Sequence, residues 1–136
     1  MPQSARPRRS VLYMPGSKTR ALEKAKTLPA DALILDLEDA VAIAEKESAR
    51  GMVAAAVREK GFGKREVIVR INGLETQWGE ADLEMAAFVA PDAILIPKVE
   101  DPDTVQYVAR RLATMGAPEH TMIWAMMETP LAMLRA

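Results

Sequence analysis

Three carboxylates, Asp36, Glu38 and Asp39, crowd into four positions of the stretch ALILDLEDAV, directly after the apolar run Ala32, Leu33, Ile34 and Leu35. Like charges this close raise one another's proton affinity unless something positive offsets them. Side chains alternate along a strand, so Asp36 and Glu38 share one side and Asp39 takes the other. Glu128 ends a separate apolar run, TMIWAMM (121–127). Carboxylates that converge from different strands without His or Cys suit a hard cation such as Mg²⁺, which prefers oxygen ligands and retains several waters. The alternative use is structural: capping the next helix, or pairing with Lys46 and Arg50.

Arg70 closes the apolar run EVIVRI and precedes Asn72-Gly73. A guanidinium there is costly to bury without an anion. Its planar fork fits a substrate carboxylate, and equally a structural salt bridge with Asp36 or Glu38. Lys98 in LIPKVE has a similar choice, between a Schiff-base amine and the partner of a carboxylate. Pro15-Gly16-Ser17-Lys18 could turn backbone N–H groups toward a phosphate, although it lacks the glycine spacing of a Walker loop. His120 reads as a surface residue, and Trp124 with Met126-Met127 as core filling.

The elements that must position these side chains alternate regularly. Apolar runs at 10–15, 31–37, 66–71, 92–99 and 121–127 are each followed by a helix-like stretch. Asp101-Pro102-Asp103 and Thr129-Pro130 carry the residues that open helices. The runs are apolar at consecutive positions, the pattern of parallel strands covered on both faces. Five β-then-α units make an α/β protein. Polar residues gather at the C-terminal strand ends, at Asp36, Glu38, Arg70, Asn72, Lys98 and Glu128. A (β/α)₈ barrel brings such ends to one mouth, whereas an open sheet spreads them along an edge. A barrel needs roughly 250 residues, so this chain of 136 reads as about five of the eight units of a larger protein.

Composition narrows the class. Eighteen basic and nineteen acidic residues give a net charge of -1, which argues against nucleic-acid or anionic-membrane partners. Arg6, Arg8 and Arg9 are expected in a solvated arm over residues 1–9. There is no cysteine, excluding disulfides, thiolate metal sites and a cysteine nucleophile. With no secretory signal and no apolar run near 18 residues, a cytoplasmic protein is expected.

Taken in order, RSVLYMPGS, ADALILDLEDAVAIAEKESAR, VIVRINGLETQWGEADLE, DAILIPKVED and METPLAM resemble the citrate lyase β-subunit-like family. These are CoA-ester lyases of the HpcH/HpaI aldolase and citrate lyase group, which includes malyl-CoA lyases. The likeness runs from about Arg9 to the last residue and is specific as a set. It implies a (β/α)₈ barrel assembled as a homo-oligomer, a trimer or hexamer, acting on a CoA or acyl-carrier thioester with Mg²⁺, or Mn²⁺ in its place. It assigns Glu128 as a direct metal ligand, with Glu38 and Asp39 orienting metal-bound water or neighbouring groups. Arg70 would bind carboxylate or keto-acid oxygens, and Pro15, Gly16, Lys46 and Arg50 would offer a surface to the CoA portion. The implied reaction is cleavage of a 3-hydroxyacyl-CoA such as malyl-CoA or citryl-CoA, or the reverse Claisen condensation. A thioesterase on the same scaffold, or an inactive half barrel working only in assembly, are the other readings. The resemblance also implies a second metal-binding Asp on the strand after the E-T-P segment and an acid/base carboxylate near the C-terminus, often contributed across a subunit interface, both expected beyond residue 136.

Overall fold

The computed structural model describes residues 6–136; residues 1–5, the start of the expected arm, lie outside the described residues. The chain runs β1 (Val11–Pro15), α1 (Thr19–Ala25), β2 (Ala32–Asp36), a 3₁₀ turn (Ile43–Glu45), α2 (Lys46–Glu59) and β3 (Glu66–Arg70). It continues through α3 (Gly79–Val89), β4 (Ala93–Ile96), α4 (Pro102–Thr114), β5 (Met122–Ala125) and α5 (Pro130–Leu134). The anticipated units are all present, with ends trimmed by one to three residues at most strands. The two anticipated caps form: Asp101 accepts from the Asp103 N–H at 2.6 Å and Thr129 from Ala132 at 3.1 Å. Each supplies one of the orphan donors of a helix start with a partner.

The five strands are parallel and lie side by side in chain order, β1-β2-β3-β4-β5. A right-handed crossover repeated in one direction puts every connecting helix on the same face. Packing agrees. Leu33, Leu35, Val67, Val69, Ile94 and Ile96 join residues of α1, α2, α3 and α4 in one core, including Leu22, Val53, Leu83 and Val108. Full burial of each such aliphatic side chain contributes about 1.5–3 kcal/mol. The other face holds a smaller cluster without any helix, built from Ala32, Ile34, Ile68, Ala93 and Leu95 with Trp124 and Met126 beside it. That helix-free face carries Asp36 and Arg70, two residues on from Ile34 and Ile68 along the pleat.

Residues 6–9 are exposed to solvent, and Arg8 and Arg9 tie them to the sheet. Arg8 grips Glu66 at 2.5 and 2.9 Å and lies over the Trp124 ring, 4.9 Å from its centre. Arg9 gives its backbone N–H to Asp31 at 2.6 Å. The physical reason is Glu66: it is buried at the start of β3, and a buried carboxylate needs a counter-charge.

Candidate active site at the C-terminal ends of the strands

The crowding of acids after β2 is resolved unequally. Asp36 has no solvent exposure and accepts four hydrogen bonds: from the N–H of Glu38 (2.9 Å) and of Ala40 (3.1 Å), and from Arg70 Nε and Nη2 (both 2.7 Å). Register sets up the last two, because Asp36 and Arg70 are partners across β2 and β3. Burial pushes the Asp36 carboxyl up, but the Arg70 hydrogen bonds and the two N–H groups outweigh it and hold it below the usual carboxylate range. The Asp36 hydrogen bonds overcome burial for Arg70 too, and keep its guanidinium protonated beyond the ordinary arginine value.

With Nε and Nη2 occupied, Arg70 has one terminal nitrogen left. Nη1 points to Met126 Sδ and to Glu38 Oε1, each 3.4 Å away. The Tyr13 ring stacks 4.8 Å from the guanidinium, so both its edges and one face are fixed. Glu38 is itself buried; its Oε2 takes the Lys98 ammonium at 2.9 Å, while Oε1 is in charge contact with Arg70 but has no hydrogen-bond partner. The structural pairing open to Arg70 in the sequence is therefore formed with Asp36, and Nη1 is left outside that clasp, against Met126 and Glu38.

Lys98 links the acids. Its ammonium holds Glu38 and lies 4.0 Å from Asp39, and its backbone N–H reaches Glu128 Oε2 at 3.1 Å. It does so from the left-handed region (φ 51), which costs a β-carbon-bearing residue about 1–2 kcal/mol. The hydrogen bond to Glu38 raises the Lys98 amine above its ordinary value, the reverse of what a Schiff-base nucleophile requires. Asp39 and Glu128 are exposed. Among the described residues no three Asp, Glu, His or Cys side chains gather closely enough to enclose a metal ion.

Four residues expected to offer a surface to a phosphate-bearing substrate do other work here. The Gly16 N–H is given to the Asp36 carbonyl at 2.7 Å, and the Pro15 carbonyl accepts from Lys18 at 3.2 Å. A β-carbon on Gly16 would sit 2.6 Å from that Asp36 oxygen and 2.7 Å from Val53 Cγ2, so glycine is needed for the close approach. Lys46 is buried, with Nζ on Leu37 O (3.1 Å), Glu38 O (2.8 Å) and Asn72 Oδ1 (2.7 Å). Arg50 turns to Asp82 at 2.8 Å.

Asp82 was not singled out by sequence reasoning. It is fully buried and also accepts from the Asn72 backbone N–H (2.9 Å) and Asn72 Nδ2 (2.7 Å). The signal was present: Gly79, Asp82, Leu83, Ala86 and Ala87 form the buried stripe of α3, and a carboxylate on such a stripe demands partners. His120 sits at the opposite end of the sheet, its Nε2 3.1 Å from the Ala90 carbonyl oxygen. No helix among the described residues is long and apolar enough to cross a membrane.

Residues 9–136 match the HpcH/HpaI aldolase/citrate lyase family. The chain is 50% identical, over all 136 residues, to a (3S)-malyl-CoA thioesterase of Cereibacter sphaeroides, covering 46% of that protein. It is 35% identical over 98% of its length to citrate lyase subunit beta of Escherichia coli, again covering 46% of the relative. A crystal structure of CitE from Mycobacterium tuberculosis in complex with magnesium, acetoacetate and coenzyme A superposes with a TM-score of 0.61 at 30% identity. That match covers 84% of this chain and 47% of the other. The chain thus spans about half the length of the curated relatives it matches. By this full-length match the chain belongs to the HpcH/HpaI aldolase/citrate lyase family.

Proposed function

We propose that this chain forms the first five βα units of a (β/α)₈ barrel lyase that cleaves, or by Claisen condensation makes, a 3-hydroxyacyl-CoA such as malyl-CoA or citryl-CoA. The observation that carries the reading is the Asp36–Arg70 pair, which holds a guanidinium rigidly at a strand end with only Nη1 outside the clasp. In this reading Nη1 binds a carboxylate or keto-acid oxygen of the substrate, and Glu38 and Tyr13 keep the guanidinium from turning away. Preorganised charge at the place where negative charge develops is an effective catalytic device. Sequential parallel strands with all helices on one face support the barrel.

The donor set suits Mg²⁺, with Mn²⁺ as a substitute: the acids are oxygen donors, and Glu38 Oε1 is a buried acceptor without a hydrogen-bond partner. Glu128 would hold the ion directly, while Glu38 and Asp39 would orient its water. When bound, the ion supplies Lewis-acid polarisation of a substrate oxygen. Pro15 and Gly16 would border the substrate through their backbone, and Lys46 and Arg50 would serve it from inside the protein. A thioester of CoA or an acyl carrier as substrate, a cytoplasmic setting and a homo-oligomer, trimer or hexamer, complete the reading; the exposed Val11, Leu12 and Met122 at the two sheet edges support burial against further protein.

Hydrolysis of malyl-CoA is the second reading, favoured by the 50% identity to a malyl-CoA thioesterase. One assay separates them. The purified protein is incubated with malyl-CoA, with and without Mg²⁺, and the products are identified. Carbon–carbon cleavage yields acetyl-CoA and glyoxylate with the thioester intact, whereas hydrolysis yields malate and a free thiol. Metal-dependent glyoxylate release supports the lyase; thiol release without glyoxylate supports the thioesterase; neither product supports the inactive half barrel working only in assembly.

A further inference from the structure

Behind the mouth, on the helix side, Lys46, Asn72, Asp82 and Arg50 form a continuous chain of charged and amide groups. Arg50 Nε meets Asp82 Oδ1 at 2.8 Å, and Asp82 Oδ2 takes both N–H groups that Asn72 offers, at 2.9 and 2.7 Å. Asn72 Oδ1 accepts from Lys46, whose two other bonds end on the carbonyls of Leu37 and Glu38. Three of the four side chains are buried and Arg50 is largely so. Every polar atom at the centre of this chain is matched donor to acceptor. Such a network tends to hold one arrangement, because any rearrangement strands a buried group.

We propose that Lys46 is a positioning residue: it fixes the turn that carries Glu38 and, through Asn72 and Asp82, locks that turn to the end of β3, where Arg70 stands. Two observations converge. Its ammonium binds the Leu37 and Glu38 carbonyls, one on either side of the Glu38 α-carbon, so it sets where the Glu38 side chain starts. Its third bond goes to Asn72, two residues beyond Arg70. The distance between the Glu38 turn and the Arg70 strand end is thus held twice, on the sheet face by Asp36 and on the helix face by Lys46. Glycine permits the arrangement on the far side, since a β-carbon on Gly79 would collide with the Gly73 carbonyl and push α3, with Asp82, away from Asn72.

The catalytic meaning rests on the lyase reading; the positioning itself does not. The test uses the purified protein with Lys46→Met, a side chain of similar length that cannot donate. Amide hydrogen exchange is expected to accelerate roughly tenfold or more at Glu38, Ala40 and Asn72, while amides in the middle of α2 keep their protection. Turnover on the CoA ester is expected to fall roughly 10- to 100-fold with KM changed less than about threefold, the pattern of misplaced but intact machinery. Uniform acceleration throughout the chain, or none at Glu38, overturns the proposal. A wild-type protein with no activity on CoA esters rejects the lyase reading, and the exchange pattern still decides the positioning. If Lys46→Met does not fold, Arg50→Lys at the outer end of the chain replaces it. Faster exchange confined to Asn72 and the 37–40 turn is then expected, and unaltered exchange there overturns the proposal.

Discussion

Asp36 and Arg70 stand opposite each other on neighbouring parallel strands and share two 2.7 Å hydrogen bonds. Arg70→Met strands a carboxylate that has no solvent exposure. The expected loss is about 3–5 kcal/mol, measured by urea unfolding at neutral pH. Arg70→Lys keeps the charge but cannot fill the fork, so it should lose less stability while losing most of the turnover. Equal effects of Met and Lys on stability would contradict the bidentate account.

The same pair sets an acid limit. The folded-state carboxyl of Asp36 lies below its ordinary value, so between the two values the unfolded chain binds more protons, and stability rises with pH. The contribution is complete above the unfolded value of about 4 and is lost as pH falls through the folded one. Unfolding free energies from pH 3 to 7 should therefore drop at the acid end, and Asp36→Asn should flatten that drop. An unchanged slope in the variant would assign the acid sensitivity elsewhere.

Two glycines should respond in opposite directions. Gly16→Ala drives a methyl into the Asp36 carbonyl and Val53, and overpacking of this kind costs about 1–3 kcal/mol. Gly51 lies exposed within α2 with nothing near its missing β-carbon. Gly51→Ala should stabilise by about 0.5–1 kcal/mol through helix propensity. Melting temperatures of the two variants against the parent are the check.

Lys98 combines an unfavourable backbone with a useful amide. Lys98→Gly relieves the left-handed strain and keeps the N–H that Glu128 accepts, so it should be more stable than Lys98→Ala by about 1 kcal/mol. Both variants lose the ammonium beside Glu38 and should lose activity alike. Borohydride with a keto-acid substrate should trap no adduct on the parent protein, because the amine is held protonated. A stable adduct at Lys98 would restore the Schiff-base alternative.

The order of elements was legible because each strand is apolar at consecutive positions and two of the helices open on a recognisable cap, Asp101 and Thr129. The acids and Arg70 were legible as a group, since charge at the end of a buried strand needs an explanation. Which acid pairs with which base was not. Asp36 and Glu38 are two residues apart, and only inter-strand register gives the fork to Asp36 and leaves Glu38 to Lys98. The inward bonds of Lys46 and Arg50 were not legible, because lysine and arginine are rarely buried. What draws them in are acceptors after β3 and on α3, Asn72 and Asp82, 26 and 32 residues further along.

The neighbour order of the strands also bears on how the molecule is born. Every strand pairs with the one translated just before it. A ribosome feeding the chain outward at about 5–20 residues per second would therefore always deliver the next strand to an edge that already exists. No early strand has to wait for a distant one to slot in between. The Asp36–Arg70 clasp can close as soon as β3 clears the exit, before β4 and β5 have emerged.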